Sequence, residues 1–139
     1  MKKVFETFVT MEPVAKGRPR TTKTGHTYTP TKTVQAEHRI QEQVGREWPN
    51  PPLDVPLYFI CTAILPRPKS PKNKKYPVTR PDGDNYLKLA ADSLNHVLWT
   101  DDSIIVDGLV RKRFVSDKYP HPGFKLVVFD VSDDAVLDD

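Results

Sequence analysis

Pro56-Leu57-Tyr58-Phe59-Ile60-Cys61-Thr62-Ala63-Ile64-Leu65 is the stretch on which the fold turns. It is almost continuously apolar and is bounded by proline clusters, the pattern of a strand buried on both faces near the centre of a sheet. Downstream, a polar loop over 66–80 leads into a segment from Gly83 to about Val97. There Leu87, Ala90, Ala91, Leu94, Val97 and Leu98 recur at helical spacing, which predicts an amphipathic helix. Upstream, a helix is expected from about Thr31, with Val34, Ile40, Val44 and Trp48 along one stripe. The run Pro49-Asn50-Pro51-Pro52 ends it. Alternating residues 4–10 predict a first strand, and 11–30 a loop. Two further strands are expected at Ser103–Phe114 and Phe124–Val131. The order β-α-β-loop-α-β-β describes a single α+β domain over residues 1–139 with a mixed sheet and two main helices.

Composition narrows the functional classes. With 37% hydrophobic and 28% charged residues the chain reads as soluble and globular. No apolar run approaches a membrane span, and the N-terminus has no signal-like stretch, so a cytoplasmic, nucleoid-associated setting without membrane contact is expected. The single cysteine, Cys61, reads as a buried hydrophobe. The net charge of +3 understates how basic the body is, because five of the 18 acidic residues lie in the tail at 130–139. A basic body favours a polyanionic partner.

Carboxylates collect around the second helix. Asp82 and Asp84 stand at its mouth in Arg80-Pro81-Asp82-Gly83-Asp84-Asn85-Tyr86-Leu87-Lys88, and Asp101-Asp102 follow its end. Taken singly each has an ordinary explanation. Asp82 can cap the helix, Asp84 and Lys88 are spaced as a surface ion pair, Asp92 extends that solvated row, and Asp101-Asp102 can be a turn. Taken together, Asp84 and Lys88 flank the buried stripe, and acids beside a lysine suit a hard divalent cation and phosphate chemistry. Spacing alone leaves both readings open, since a helix of about 14 residues would hold the two acidic pairs roughly 21 Å apart. The histidines show no paired ligand spacing.

The stretches Arg-Pro-Asp-Gly-Asp-Asn-Tyr-Leu-Lys (80–88), Ala-Asp-Ser-Leu-Asn (91–95) and Trp-Thr-Asp-Asp-Ser-Ile-Ile-Val (99–106) resemble the signature of the RusA family of Holliday-junction resolvases. Gly-Arg-Pro-Arg (17–20) and Tyr-Thr-Pro (28–30) are similar to the N-terminal loop of its phage and prophage members. The resemblance implies a homodimer that nicks opposing strands of four-way DNA junctions with Mg²⁺ or Mn²⁺, by attack of a metal-activated water. It implies Asp82, Asp84 and Asp102 as metal-binding acids, Lys88 as catalytic lysine, and Asn85 and Asp101 in supporting roles. A nuclease with broader taste for flaps and forks, and a catalytically silent junction-binding protein, are the alternatives.

Basic residues frame this motif. Arg67, Lys69, Lys72, Lys74, Lys75 and Arg80 lie between Leu65 and Asp82 with no acid among them. Lys16, Arg18, Arg20 and Lys23 form a second positive arm, with Tyr28 placed either to stack on an exposed base or to pack under its own loop. Such contacts to phosphates give affinity and salt dependence with little sequence information. Arg111-Lys112-Arg113 form a candidate flank.

Overall fold

In the computed structural model, which describes residues 1–17, 19–69 and 74–136, the apolar run around residue 60 is an inner strand of a four-stranded sheet. The elements in chain order are β1 (Lys2–Thr10), β2 (Arg20–Thr21), β3 (Thr27–Tyr28), α1 (Thr31–Glu47), β4 (Leu57–Leu65), α2 (Gly83–Ser93), β5 (Ile105–Phe114) and β6 (Gly123–Asp130). The main sheet has the order β1-β6-β4-β5. β6 pairs antiparallel with both β1 and β4, whereas β4 and β5 are parallel. A parallel neighbour requires a crossover connection, and α2 supplies it. The result is an α+β layer domain with a mixed sheet and two helices.

Strand alternation sends Phe59, Cys61 and Ala63 of β4 and Phe124, Leu126 and Val128 of β6 into a core where all six are fully buried. Ile40 and Val44 of α1 and Leu89 and Ala90 of α2 meet them there with no exposed surface. Cys61, enclosed in that layer, has its thiol pushed up to about 12 by burial. It is inert as a nucleophile at neutral pH.

Two features differ from the expectation. Residues 11–30 contain a short ribbon, in which Arg20 pairs with Tyr28 and Thr21 with Thr27 around a turn at Gly25 (φ 83°). Two-residue strands carry too little alternation to register in sequence. The second helix ends at Ser93 instead of running to about Val97. Leu94 leaves the helical conformation (φ −100°, ψ 1°) and His96 turns left-handed at φ 66°. That reversal drives Leu98 and Trp99 into the core, both fully buried. The Trp99 ring meets Phe59 edge-on at 5.1 Å, and its indole N–H donates to Asn95 Oδ1 at 3.1 Å. Burying an indole outweighs one more helical turn.

Among the described residues, no helix is long and apolar enough to cross a membrane.

Candidate active site

The early end of α2 changes where the acids lie. After Trp99 the chain makes a 3-10 turn at Asp102–Ile104 and enters β5 on the sheet edge. β5 then runs back alongside α2. A Cβ at Gly108 would touch Leu87 Cδ2 at 3.5 Å, and one at Gly83 would meet Val110 Cγ1 at 3.1 Å. Helix and edge strand approach closely because these two glycines leave no side chain between them. Lys112 secures the entry to α2: its ammonium donates to the carbonyls of Thr79 at 2.6 Å and Pro81 at 2.8 Å.

A cleft of about 400 Å³ lies between α2 and β5. Asp84, Lys88 and Asp102 border it, over an apolar floor that includes Leu87, Ala91 and Phe59, with Gly108 at its strand side. Among the described residues no salt bridge joins Asp84 to Lys88, so the expected surface pair does not form and neither charge is neutralised by the other. Asp102 is partly buried, and its carboxyl titrates above the usual carboxylate range. Burial is the first cause, and the facing Asp92 carboxyl, close enough to share a proton, is the second.

The other acids are placed differently. Asp101 is exposed, and Ser103, through its hydroxyl first and then its backbone N–H at 3.0 Å, holds the Asp101 carboxyl below the ordinary range. It caps the 3-10 turn and leaves Asp102 to face the cleft. Asp82 is the N-cap residue of α2 in an extended conformation, but its side chain makes no capping hydrogen bond. It stands outside the cleft lining, at the exposed mouth of the helix. Ten residues of helical rise put it about 15 Å along the axis from Asp92. Asn85 is half-buried, and its carbonyl accepts from the Lys16 backbone N–H at 2.9 Å.

Asp92 is not the solvated row-end that its spacing suggested. Its side chain is 24% exposed and receives Lys16 Nζ at 3.3 Å, while the same ammonium reaches Glu37 Oε1 at 3.3 Å. Lys16, read from sequence as part of a positive arm, is thereby turned inward, bridging α1 and α2. Two carboxylates at 3.3 Å hold it more firmly than an exposed position could. Sequence reading also passed over Gly108, and it placed Lys112 on a basic flank where the structure turns its ammonium onto the entry to α2. A lone glycine inside a strand pattern is a signal of close backbone approach and could have drawn attention to Gly108. The carbonyl partners of Lys112 are 31 and 33 residues away and leave no local trace.

The described basic residues of the loop that leads into α2 are variously engaged. Arg67 donates to the Lys74 carbonyl at 2.8 Å and its guanidinium lies over Phe114. Lys75 and Arg113 both sit over the exposed Tyr76 ring. Lys69, Lys75 and Arg80 are exposed, and Lys74 is half-buried. Arg20 and Tyr28 are both exposed on the short ribbon, so Tyr28 does not pack under its loop. Arg18 and Lys72 lie outside the described residues, as do the last three positions of the acidic tail.

Among the described residues, no group of three or more His, Cys, Asp or Glu is gathered tightly enough to hold a metal ion unaided. The donor set nevertheless fits a hard cation of the Mg²⁺ class, which binds through one or two carboxylates and otherwise keeps waters and phosphate oxygens. Asp84 and Asp102 offer two such carboxylates on one cleft, with the Asp92 carboxyl facing Asp102.

The family model described as endodeoxyribonuclease RusA matches residues 10–122. A protein of Bacillus subtilis (strain 168), described as uncharacterized protein YqaN, is 33% identical over 135 residues, covering 87% of this chain and 92% of that protein.

Proposed function

Because the chain belongs to the RusA endodeoxyribonuclease family, we propose that it resolves four-way DNA junctions by paired, metal-dependent nicks at the α2–β5 cleft. The observation that carries this reading is the meeting of Asp84, Lys88 and Asp102 on one cleft, on the helix that the basic loop leads into. Asp84 and Asp102 would hold a divalent cation, Mg²⁺ or Mn²⁺, and Asp82 would extend the acidic set toward the incoming phosphate. Bound there, the cation supplies charge neutralisation and an acidified water. Lys88 contributes a fixed ammonium toward the charge that builds on the phosphate oxygens during displacement. Asp101 supports Asp102 by closing its turn. Asn85 anchors the loop at 11–17 through its backbone carbonyl. Arg20, Lys69, Lys74, Lys75 and Arg80 lay the DNA backbone across the site, with Arg67 shaping the loop that carries them.

Asp84→Asn, incubated with a synthetic four-way junction and Mg²⁺, tests the assignment. The unmodified protein is expected to give symmetric paired nicks on the junction and none on linear duplex. The variant should lose cleavage by on the order of 10²-fold or more. It should bind the junction as tightly or more so, because a negative charge has been removed where phosphates approach. Unchanged cleavage in the variant would sink the assignment. Equal turnover on flaps and forks would point to the broader nuclease, and binding without cleavage to a junction-binding protein.

A symmetric substrate suits a homodimer. Both helices lie on one face of the sheet, and on the other the Tyr58 and Phe129 rings stack at 5.8 Å, half-buried and, among the described residues, with no helix over them. We assign this face to a second copy of the chain. Sedimentation velocity should return twice the monomer mass of 15.9 kDa, and Phe129→Lys should return the monomer. A monomer throughout the micromolar range would refute the assignment.

A further inference from the structure

The first turn of α2 has a second wall. Tyr86 is two residues from both Asp84 and Lys88, hence about 200° round the helix from each, and faces away from the acidic cleft. With Pro81 and Pro66 it borders another cleft of about 640 Å³, closed on the far side by α1. This volume falls within the roughly 300–1,000 Å³ of small-ligand sites. Its floor is apolar: Tyr86 is 3% exposed, its ring set against Phe124 with centroids 6.1 Å apart. Polar groups are confined to the rim. Lys32, Gln35 and Arg39 follow one another along one row of α1, and Glu12 stands opposite, close enough to help raise the Tyr86 hydroxyl above its ordinary range after burial. Lys32 and Gln35 are exposed, and Arg39 donates to the Thr10 carbonyl only at 3.4 Å.

We propose that this cleft is a nucleobase subsite, taking one unstacked base of the DNA whose backbone crosses the acidic cleft. Lys32 and Arg39 would hold the adjoining phosphate, and Gln35 and Glu12 the edge of the base. The inference rests on the nuclease reading and deepens it. Three observations favour a base over other occupants. The apolar floor with an aromatic and prolines matches a flat ring. Two cations in one row match a phosphate. The two clefts also flank the same first turns of α2, one lined by Tyr86 and Pro81 and the other by Asp84 and Lys88. Bases at a strand crossover are already partly unstacked, so extruding one costs less than in a continuous duplex.

The test uses the full chain with Asp84→Asn to keep the junction intact, and 2-aminopurine placed in turn at each position flanking the crossover. Emission is expected to rise several-fold at one position. Gln35→Trp, a change at an exposed helix position that fills the cleft without entering the core, should abolish that rise. It should weaken junction binding about tenfold while duplex binding stays unchanged. Unchanged emission at every position in a formed complex would overturn the subsite, as would a rise that survives Gln35→Trp. A second measurement is independent of cleavage: deoxynucleoside monophosphates at millimolar concentration should shift the backbone amide signals of Ala15, Ala36 and Tyr86. The absence of such shifts also overturns the proposal. Shifts from a protein that cuts no DNA would support the subsite while sinking the nuclease reading.

Discussion

Asp102→Asn is expected to lower junction cleavage by on the order of 10²–10³-fold, whereas Asp101→Asn should remain within about threefold of the parent. The two residues are adjacent, equal in charge and indistinguishable by composition, so the contrast isolates geometry. Asp102 borders the cleft with Asp84 and Lys88 and faces the Asp92 carboxyl. Asp101 faces solvent and spends its carboxylate on the Ser103 backbone N–H. An amide at 101 keeps an oxygen that can accept that bond, so the turn survives. An amide at 102 removes the negative charge needed to hold a cation. Single-turnover cleavage at saturating Mg²⁺ reads the difference. Equal losses in both variants would mean that the whole turn, not the Asp102 carboxylate, is what matters.

Trp99→Ala is expected to destabilise the protein by about 3–5 kcal/mol, a large share of the roughly 5–15 kcal/mol that holds a domain of this kind together. The indole is fully buried, packs edge-on against Phe59 and donates to Asn95. Truncation would leave a cavity beneath the start of β5 and an acceptor without its donor. The same residue folds the chain from α2 back toward the sheet edge, so Asp102 would lose its position together with the stability. Urea unfolding followed by far-ultraviolet circular dichroism gives the stability change. Trp99→Phe should retain more than half of the lost stability and most of the cleavage. A loss below about 1 kcal/mol for the alanine variant would contradict the packing role assigned here.

The long-period features were legible in sequence for a simple reason. The strand at 57–65 and the helix beginning at Gly83 each repeat one local pattern over two or more turns, and burial on a fixed face enforces that pattern. The acidic motif was legible because its residues are close in the chain and resemble those of a known family. What spacing could not decide was whether the second acidic pair returns to the first. The assumption of a helix running to Val97 made the separation look prohibitive. Ending the helix at Ser93 removes a turn, and the antiparallel course of β5 carries the chain back along α2. The gain is partial: Asp84 and Asp102 share a cleft, while Asp82 stays at the far mouth of the helix.

The sequence by itself determined the α+β element order, the central strand, the two helices and the family to which the chain belongs, because each rests on residues near one another in the chain. Only the tertiary structure decided that Asp102 and not Asp101 faces the cleft, that Asp92 lies against Asp102, that Lys16 is drawn inward between Glu37 and Asp92, and that a second cleft lies behind Tyr86. Each of these depends on contacts between distant segments, and a side chain's direction there is set by which large apolar groups, Trp99 foremost, the core must enclose.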